Sequence, residues 1–151
     1  MKLGRLNHIG VATPSVDDSI AYYRETMGAV HITEPFDLPE QGVKVCFVDT
    51  PDAQGETGKG TQIELIEPFD ESSPINGFLA KNPAGGQHHV CYEVEDIEEA
   101  RNWFEGLGKR ILGPTRIGAH GTPIFFLHPK DMMGQLTEIM ETPKDKTHWS
   151  N

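Results

Sequence analysis

A histidine and a glutamate recur in each half of this chain, and together they form a set of side chains that could bind a divalent cation. His8 begins the first half and Glu64 lies near its end, while His89 and Glu138 take the same places in the second half. Imidazole and carboxylate ligands suit ions such as Mn²⁺, Fe²⁺, Co²⁺, Ni²⁺ and Zn²⁺. The pattern therefore predicts one metal site with these four ligands. An octahedral ion there would keep two positions for water or a chelating substrate.

The two halves have the same order of predicted elements. Aligning His8 with His89 also aligns Ser15 with Asp96, and both of these are favoured helix N-caps that precede an apolar helical face. Strand-like runs are predicted at 6–12, 30–36, 43–49 and 61–67 in the first half, and at 87–94, 109–112, 122–128 and 135–141 in the second. The loop 50–60 is expected to connect two strands as a hairpin. Each half is therefore predicted to be β-α-β-β-β.

This repeat predicts the fold class and the domain organisation. Neither half has enough core to be stable alone, so we expect one domain over 1–151, with modules 5–68 and 86–142 and the linker 69–85. The expected α+β fold has a cup-shaped, eight-stranded mixed sheet built from two tandem βαβββ modules. If a helix covers the outer face of each module, strand alternation brings the His and the Glu to the concave face. The tail from Lys144 to Asn151 is expected to be polar and frayed.

Three residues next to the predicted ligands are assigned other roles. Strand alternation allows only one inward histidine in the pair at 88–89, so His88 is expected to point outward or to support a ligand. Glu67 and Glu141 each lie three residues beyond a ligand glutamate and are expected to face solvent.

Composition excludes several classes of function. The chain has 151 residues, of which 36% are hydrophobic and 24% are charged, and its net charge of −10 argues against a nucleic-acid partner. No apolar run approaches the roughly 18 residues of a membrane helix. The N-terminal residues lead directly into the first strand, so no signal peptide is predicted. Cys46 and Cys91 lie in apolar runs and are expected to be buried, reduced thiols of a cytoplasmic protein.

Several segments together resemble the vicinal-oxygen-chelate superfamily, and within it the methylmalonyl-CoA epimerase family. They lie at 6–12, 38–43, 64–68, 86–91, 118–121 and 127–130. The runs His-His-Val-Cys, Gly-Ala-His-Gly and His-Pro-Lys are specific to this subfamily, whereas the His and Glu pairs belong to the wider superfamily. The resemblance implies the same four metal ligands and a homodimer. Some family members have Gln at the position of Glu64, which implies weak or water-mediated binding there.

The chemistry implied by this resemblance is a 1,1-proton transfer that interconverts (R)- and (S)-methylmalonyl-CoA through a metal-stabilised enolate. Ethylmalonyl-CoA is a second expected substrate, because one methylene supplies only about 1–3 kcal/mol of discrimination. Glu138 is the implied proton-transfer group on one side. Some members place a Glu on the third strand for the other side, but Val45 stands at that position here. We hypothesise that His120 replaces it, since imidazole titrates near neutrality, with Glu40 as second choice.

The acyl-CoA phosphates require cations on this acidic chain. Arg116 and Lys130 are the candidates, because the predicted topology places both near the mouth of the site.

Two other classes of function remain open at this point. The same metal set would serve a glyoxalase-like isomerase or lyase, and it would serve a ring-cleaving dioxygenase less well, because such enzymes typically bind Fe²⁺ through two His and one carboxylate. A metal-free protein that binds antibiotics would not need His or Glu at all four positions.

Overall fold

The computed structural model describes residues 1–144, which form two compact units. The first unit comprises residues 1–8 and 89–144, and the second comprises residues 9–88. The elements follow in the order β1 (Leu6–Ala12), α1 (Val16–Glu25), β2 (Phe36–Leu38), β3 (Val43–Pro51), β4 (Thr57–Pro68), α2 (Asn76–Lys81), β5 (Gly86–Val94), α3 (Ile97–Gly106), β6 (Ile111–Ile117), β7 (Pro123–Leu127) and β8 (Thr137–Glu141). The predicted tail beyond Lys144 lies outside the described residues.

The predicted order of elements is confirmed in both halves, since each runs β-α-β-β-β. The strands hydrogen-bond in the order β2-β3-β4-β1-β5-β8-β7-β6. The sheet is mixed, because β5 and β8 are parallel whereas β3 and β4, and β7 and β8, are antiparallel. This arrangement is the eight-stranded mixed sheet that the sequence predicts.

In the second unit, helix α1 covers one face of strands β3 and β4. Its Val16 packs with Cys46 and Val48 of β3 and with Leu65 of β4 in a buried cluster. Successive residues of a strand point to opposite faces. Glu64, which pairs with Phe47 across the two strands, therefore lies on the face turned away from α1.

The first unit repeats this division between two faces. Helix α3 packs its apolar face against strands β5, β7 and β8 in a cluster formed by Val94, Ile97, Ala100, Phe104, Phe125, Leu127 and Ile139. Glu138 alternates with Ile139 along β8 and so lies on the other face, opposite Cys91 of β5. In both units the helix takes one side of the sheet and leaves the glutamate on the other.

The two predicted helix starts are confirmed. The Ser15 hydroxyl accepts a hydrogen bond from the Asp18 backbone N–H, and the Asp96 carboxylate accepts from the backbone N–H groups of Glu98 and Glu99. These bonds satisfy donors that have no partner within the helix.

Glu67 and Glu141 do more than face solvent, so that prediction was wrong. The Glu67 carboxylate accepts a hydrogen bond of 2.8 Å from the backbone N–H of Val16, and Glu141 accepts one of 3.4 Å from that of Ile97. Each glutamate therefore ties the last strand of its module to the first residue of a helix, where a negative charge also suits the helix dipole. Local alternation gave no sign of this contact between distant elements.

Three predicted segment limits also differ from the structure. The run 30–36 is not a continuous strand, because Pro35 has no N–H for a ladder. Only an isolated bridge at Ile32 and the short β2 lie near it. Strand β4 begins at Thr57, inside the predicted loop 50–60, and the strand predicted near 109–112 extends to Ile117.

Cys46 and Cys91 are both buried and form no disulfide, as predicted. Burial raises the pKa of the Cys46 thiol to about 11, although the side chain of Thr33 opposes that rise. Within residues 1–144, no helix has the length and apolar character needed to span a bilayer.

The Asp96 cap provides a test of the helix assignment. We expect Asp96→Ala to lower the free energy of unfolding by about 1 kcal/mol, because two backbone N–H groups lose their acceptor. Urea denaturation measures this change. Glu95→Ala is the control, since Glu95 is exposed and precedes the cap. Equal stability of the Asp96 and Glu95 variants would contradict the capping role.

Candidate metal centre

Three of the four predicted ligands meet in the first unit. His8 Nε2 lies 3.2 Å from His89 Nε2 and 3.1 Å from Glu138 Oε1, and His89 Nε2 lies 3.2 Å from the same oxygen. All three side chains are buried. Strands β1, β5 and β8 each supply one of them, so the hydrogen-bonded sheet holds the backbone of every member.

The spacing of these atoms fits the first coordination shell of a metal ion. Nitrogen and oxygen ligands bind ions of the Zn²⁺ type at about 2.0–2.2 Å, so neighbouring ligand atoms of one octahedral or tetrahedral ion lie roughly 2.8–3.6 Å apart. The three separations found here fall within that range. Two imidazoles and one carboxylate also match the ligand preferences of intermediate divalent cations. His8, His89 and Glu138 could therefore hold such an ion.

Glu138 supplies the negative charge of this cluster. Burial of Glu138 opposes its ionisation, but the two imidazoles outweigh that effect and hold its pKa below the ordinary value for a glutamate. The side chain is therefore a carboxylate at neutral pH and can act as an anionic ligand or as a proton acceptor. Its contacts with both imidazoles use Oε1.

The fourth predicted ligand, Glu64, lies in the second unit. It is 6% exposed and points to the side of β4 that α1 does not cover. A carboxylate in such a place requires compensation, because an isolated buried charge is costly. Its burial is the property expected of a ligand rather than of a solvated surface glutamate.

Two residues behind His8 were missed by the sequence analysis. His8 Nδ1 lies 2.7 Å from Asn7 Oδ1, and Asn7 Nδ2 donates a 2.9 Å hydrogen bond to Glu93 Oε2. Arg5 Nε lies 3.3 Å from the same Glu93 oxygen. Burial raises the Glu93 pKa, and Asn7 and Arg5 oppose that rise. One signal was available, because alternation along β5 puts Glu93 on the same face as His89.

His120 lies next to the cluster. Its ring stacks on that of His8 with centroids 5.3 Å apart, and only 8% of its surface is exposed. A turn between β6 and β7 holds it, closed by hydrogen bonds from Gly118 N–H to Thr122 and from Gly121 N–H to Gly118. Gly121 has φ +79°, a conformation that glycine adopts without strain.

Arg116 and Lys130, the two residues predicted to bind phosphate, differ in their surroundings. The Arg116 guanidinium lies 6.0 Å from the ring centroid of Phe126, and that ring makes an edge contact with His89 at 5.5 Å. Arg116 and His89 therefore contact the same aromatic ring. Lys130 is exposed in the short 3₁₀ turn Pro129–Asp131, where its backbone N–H donates to His128 Nδ1.

The other singled-out positions lie in the second unit. Glu40 is exposed in the 3₁₀ turn Pro39–Gln41, and Val45 is 1% exposed on β3 with no group that can carry a proton. His88 is half-buried, and its ring makes an edge contact with Phe78 of α2 at 5.3 Å. It supports the packing of that helix.

The chain matches a protein-family model and is similar in sequence to known proteins. The family model for the Glyoxalase/Bleomycin resistance protein/Dioxygenase superfamily matches residues 7–126. The chain is 50% identical over 139 residues to an ethylmalonyl-CoA/methylmalonyl-CoA epimerase of Cereibacter sphaeroides, which covers 91% of this chain and 97% of the relative.

Solved structures share both the fold and part of the sequence. A variant of Streptomyces coelicolor methylmalonyl-CoA epimerase in complex with 2-nitronate-propionyl-CoA gives a TM-score of 0.81 at 32% identity, covering 93% of this chain and 99% of that one. A methylmalonyl-CoA epimerase in complex with methylmalonyl-CoA and NH4+ gives 0.82 at 32% identity, covering 95% and 97%.

Metal binding should stabilise the protein through this cluster. We expect Co²⁺ at about 100 times its dissociation constant to raise the free energy of unfolding by about 2.7 kcal/mol. His89→Ala should lose this gain, because it removes one of the three converging ligands. Thermal unfolding with and without Co²⁺ measures the effect.

The adjacent histidine provides a matched control for this experiment. His88→Ala also removes an imidazole from this strand, but that imidazole contacts Phe78 and is not one of the predicted ligands. The variant should therefore retain the stabilisation by Co²⁺. Equal stabilisation of the His89→Ala variant and the unaltered protein would exclude His89 as a ligand.

Proposed function

Because the chain belongs to the Glyoxalase/Bleomycin resistance protein/Dioxygenase superfamily and, within it, to the methylmalonyl-CoA epimerase family, we propose that it interconverts the (R)- and (S)-forms of methylmalonyl-CoA. The observation that carries this proposal is the buried cluster of His8, His89 and Glu138. It occurs in a chain that is 50% identical to an epimerase over 91% of its length. The enzyme is accordingly an isomerase whose partner is an acyl-CoA thioester.

The proposed cofactor is one divalent metal ion held by His8, His89 and Glu138, with Glu64 as the fourth ligand. Burial of all four side chains supports this set. When bound, such an ion acts as a Lewis acid that stabilises the negative charge that develops as the α-proton leaves. Co²⁺, Mn²⁺, Ni²⁺, Zn²⁺ and Fe²⁺ all suit these ligands.

Glu138 is the proposed proton carrier on one side of the substrate. It stays ionised because the two imidazoles lower its pKa. Its Oε1 is engaged with those imidazoles, so Oε2 is the oxygen that would take the α-proton. A carboxylate can divide its two oxygens between these tasks, since each has its own lone pairs.

His120 is the proposed carrier on the other side. Its place against the His8 ring supports this role, as does its shielding from solvent, which favours transfer to substrate over transfer to water. Imidazole can both accept and donate a proton near neutral pH. Val45 cannot take this role, because its side chain is aliphatic, and Glu40 is exposed on a turn of the other unit.

The CoA phosphates are proposed to bind Arg116 and Lys130, which are both exposed in the first unit. Arg116 has the stronger support, because Arg116 and His89 both contact the ring of Phe126. A guanidinium also offers two parallel N–H donors to a phosphate.

The competing functions have weaker support. A ring-cleaving dioxygenase or a glyoxalase-like isomerase could use a similar ligand set, but the relative from Cereibacter sphaeroides and the solved structures compared above are named as epimerases. A metal-free antibiotic-binding protein would have no use for a carboxylate buried between two imidazoles. The homodimer and the cytoplasmic location remain predictions.

Acyl specificity yields one expected result. The relative from Cereibacter sphaeroides carries both substrates in its name, and we propose that this chain also accepts ethylmalonyl-CoA. Because the substrates differ by one methylene, their kcat/KM values should differ by no more than about 200-fold. Kinetics with the two substrates measure the ratio, and no turnover of ethylmalonyl-CoA at all would exclude the broader specificity.

The roles of the two proton carriers can be separated in D₂O. We expect His120→Ala to lower the kcat for epimerisation by about 10²- to 10⁴-fold. Deuterium should still enter at C2 of the one stereoisomer whose α-proton faces Glu138. Mass spectrometry and chiral analysis of each stereoisomer follow exchange and inversion independently.

Two further variants complete this test. Glu138→Gln should abolish exchange from the stereoisomer that His120→Ala still exchanges. His31→Ala is the control, because His31 pairs with Asp49 in the other unit and should leave turnover unchanged. A loss of less than tenfold in kcat for His120→Ala would remove His120 as a proton carrier, and lack of any exchange by the unaltered protein would refute the epimerase activity.

A further inference from the structure

A buried carboxylate outside the proposed ligand set stands behind His8. Glu93 is 2% exposed and lies on β5, four residues after His89. Its Oε2 accepts a hydrogen bond from Asn7 Nδ2 and pairs with Arg5 Nε. A carboxylate in such a position is costly unless it is paired and hydrogen-bonded. Glu93 takes no part in the proposed proton transfers.

The chemistry of these groups gives the hydrogen bonds a fixed direction. An ionised carboxylate can only accept, so the amide group of Asn7 must turn its NH₂ toward Glu93. The Asn7 amide oxygen then faces His8 Nδ1 at 2.7 Å. Because that oxygen can only accept, Nδ1 must carry the hydrogen.

The ring nitrogen on the other side is thereby determined as well. A ring that also donates to the Glu138 carboxylate carries hydrogen on both nitrogens, and in the neutral form that binds a cation, with Nδ1 protonated, the lone pair lies on Nε2. This is the nitrogen that points to His89 and Glu138. The opposite tautomer would place a hydrogen where a cation has to bind.

We propose that Glu93 is a positioning residue that selects, through Asn7, the tautomer of His8 whose Nε2 can bind a metal ion. Arg5 supports it from the surface, because a guanidinium stays charged and favours the ionised form of the carboxylate. The inference rests on the proposed metal site and adds to it a residue that touches neither metal nor substrate. Partners that orient a metal-binding histidine typically affect metal affinity by about 10- to 100-fold.

The internal repeat shows that this arrangement serves only one of the two histidines. When His8 is aligned with His89, the position of Asn7 corresponds to His88, and that of Glu93 corresponds to Ala12. Neither Asn nor Glu therefore recurs in the equivalent positions. The Asn7 and Glu93 pair is an addition to the duplicated pattern, specific to the His8 side.

The experiment reverses the direction of the hydrogen bonds. In Glu93→Gln the new amide can either donate or accept, so Asn7 is no longer forced into one orientation. The double variant Asn7→Asp/Glu93→Gln restores the order, because an acidic side chain at position 7 can only accept from both neighbours. Imidazole ¹⁵N NMR of the metal-free protein reports the tautomer of His8, assigned with His8→Gln. Calorimetry measures the dissociation constant for Co²⁺.

We expect the unaltered protein to show hydrogen on Nδ1 of His8. Glu93→Gln should show a mixture of tautomers and bind Co²⁺ about 10- to 100-fold more weakly, and the double variant should recover both properties. Asp49→Asn is the matched control, since Asp49 is a buried carboxylate that accepts from Gln62 in the other unit. It should change neither the tautomer nor the affinity.

Several results would overturn the proposal. One is an Nδ1 of His8 that carries no hydrogen in the unaltered metal-free protein, a measurement that requires no variant to fold. Another is a Glu93→Gln protein that keeps the tautomer and an affinity within twofold. A double variant that binds Co²⁺ as weakly as Glu93→Gln would also refute the proposed direction of the hydrogen bonds. These outcomes are separate from the epimerase assay, because the tautomer is observed with neither metal nor substrate.

Discussion

The burial of one negative charge between two imidazoles is the constraint on which the rest of the site depends. Glu138 is shielded from water, so its charge must be balanced locally, and His8 and His89 are the groups that balance it. The hydrogen-bonded sheet brings the three strands that carry these side chains close enough for the charge to be balanced. Removal of one member of such a buried set typically costs about 3–5 kcal/mol, because the remaining charge loses its partner. The same balance keeps Glu138 ionised for chemistry.

The alternation of side chains along a strand separates this charged cluster from the hydrophobic core. On β8, Ile139 joins the cluster packed against α3 while its neighbour Glu138 turns to the other face. On β4, Leu65 and Glu64 divide in the same way. The helix of each module thus receives the apolar residues, and the uncovered side is available for polar groups. Glu67 and Glu141 strengthen this division by binding the start of each helix to the last strand.

Duplication accounts for part of the site, and the departures from it account for the rest. The repeat supplies matched histidines and matched glutamates. The Asn7 and Glu93 pair behind His8 has no counterpart, and neither does His120, which lies in the turn between β6 and β7. A site with different groups on its two sides suits a reaction that removes a proton from one face of a carbon and returns one to the other.

The sequence by itself determined the elements and the ligand types. Apolar periodicity, the caps at Ser15 and Asp96 and the internal repeat follow from local rules, so the βαβββ order and the four candidate ligands could be predicted. The contacts of Glu67 and Glu141, and the hydrogen bonds that reach from Glu93 to His8, could not. They join residues far apart in the chain, and their partners are decided by which strands become neighbours in the sheet. Only the tertiary structure decided those contacts, because a buried polar group takes whichever partner the packing brings within hydrogen-bonding distance.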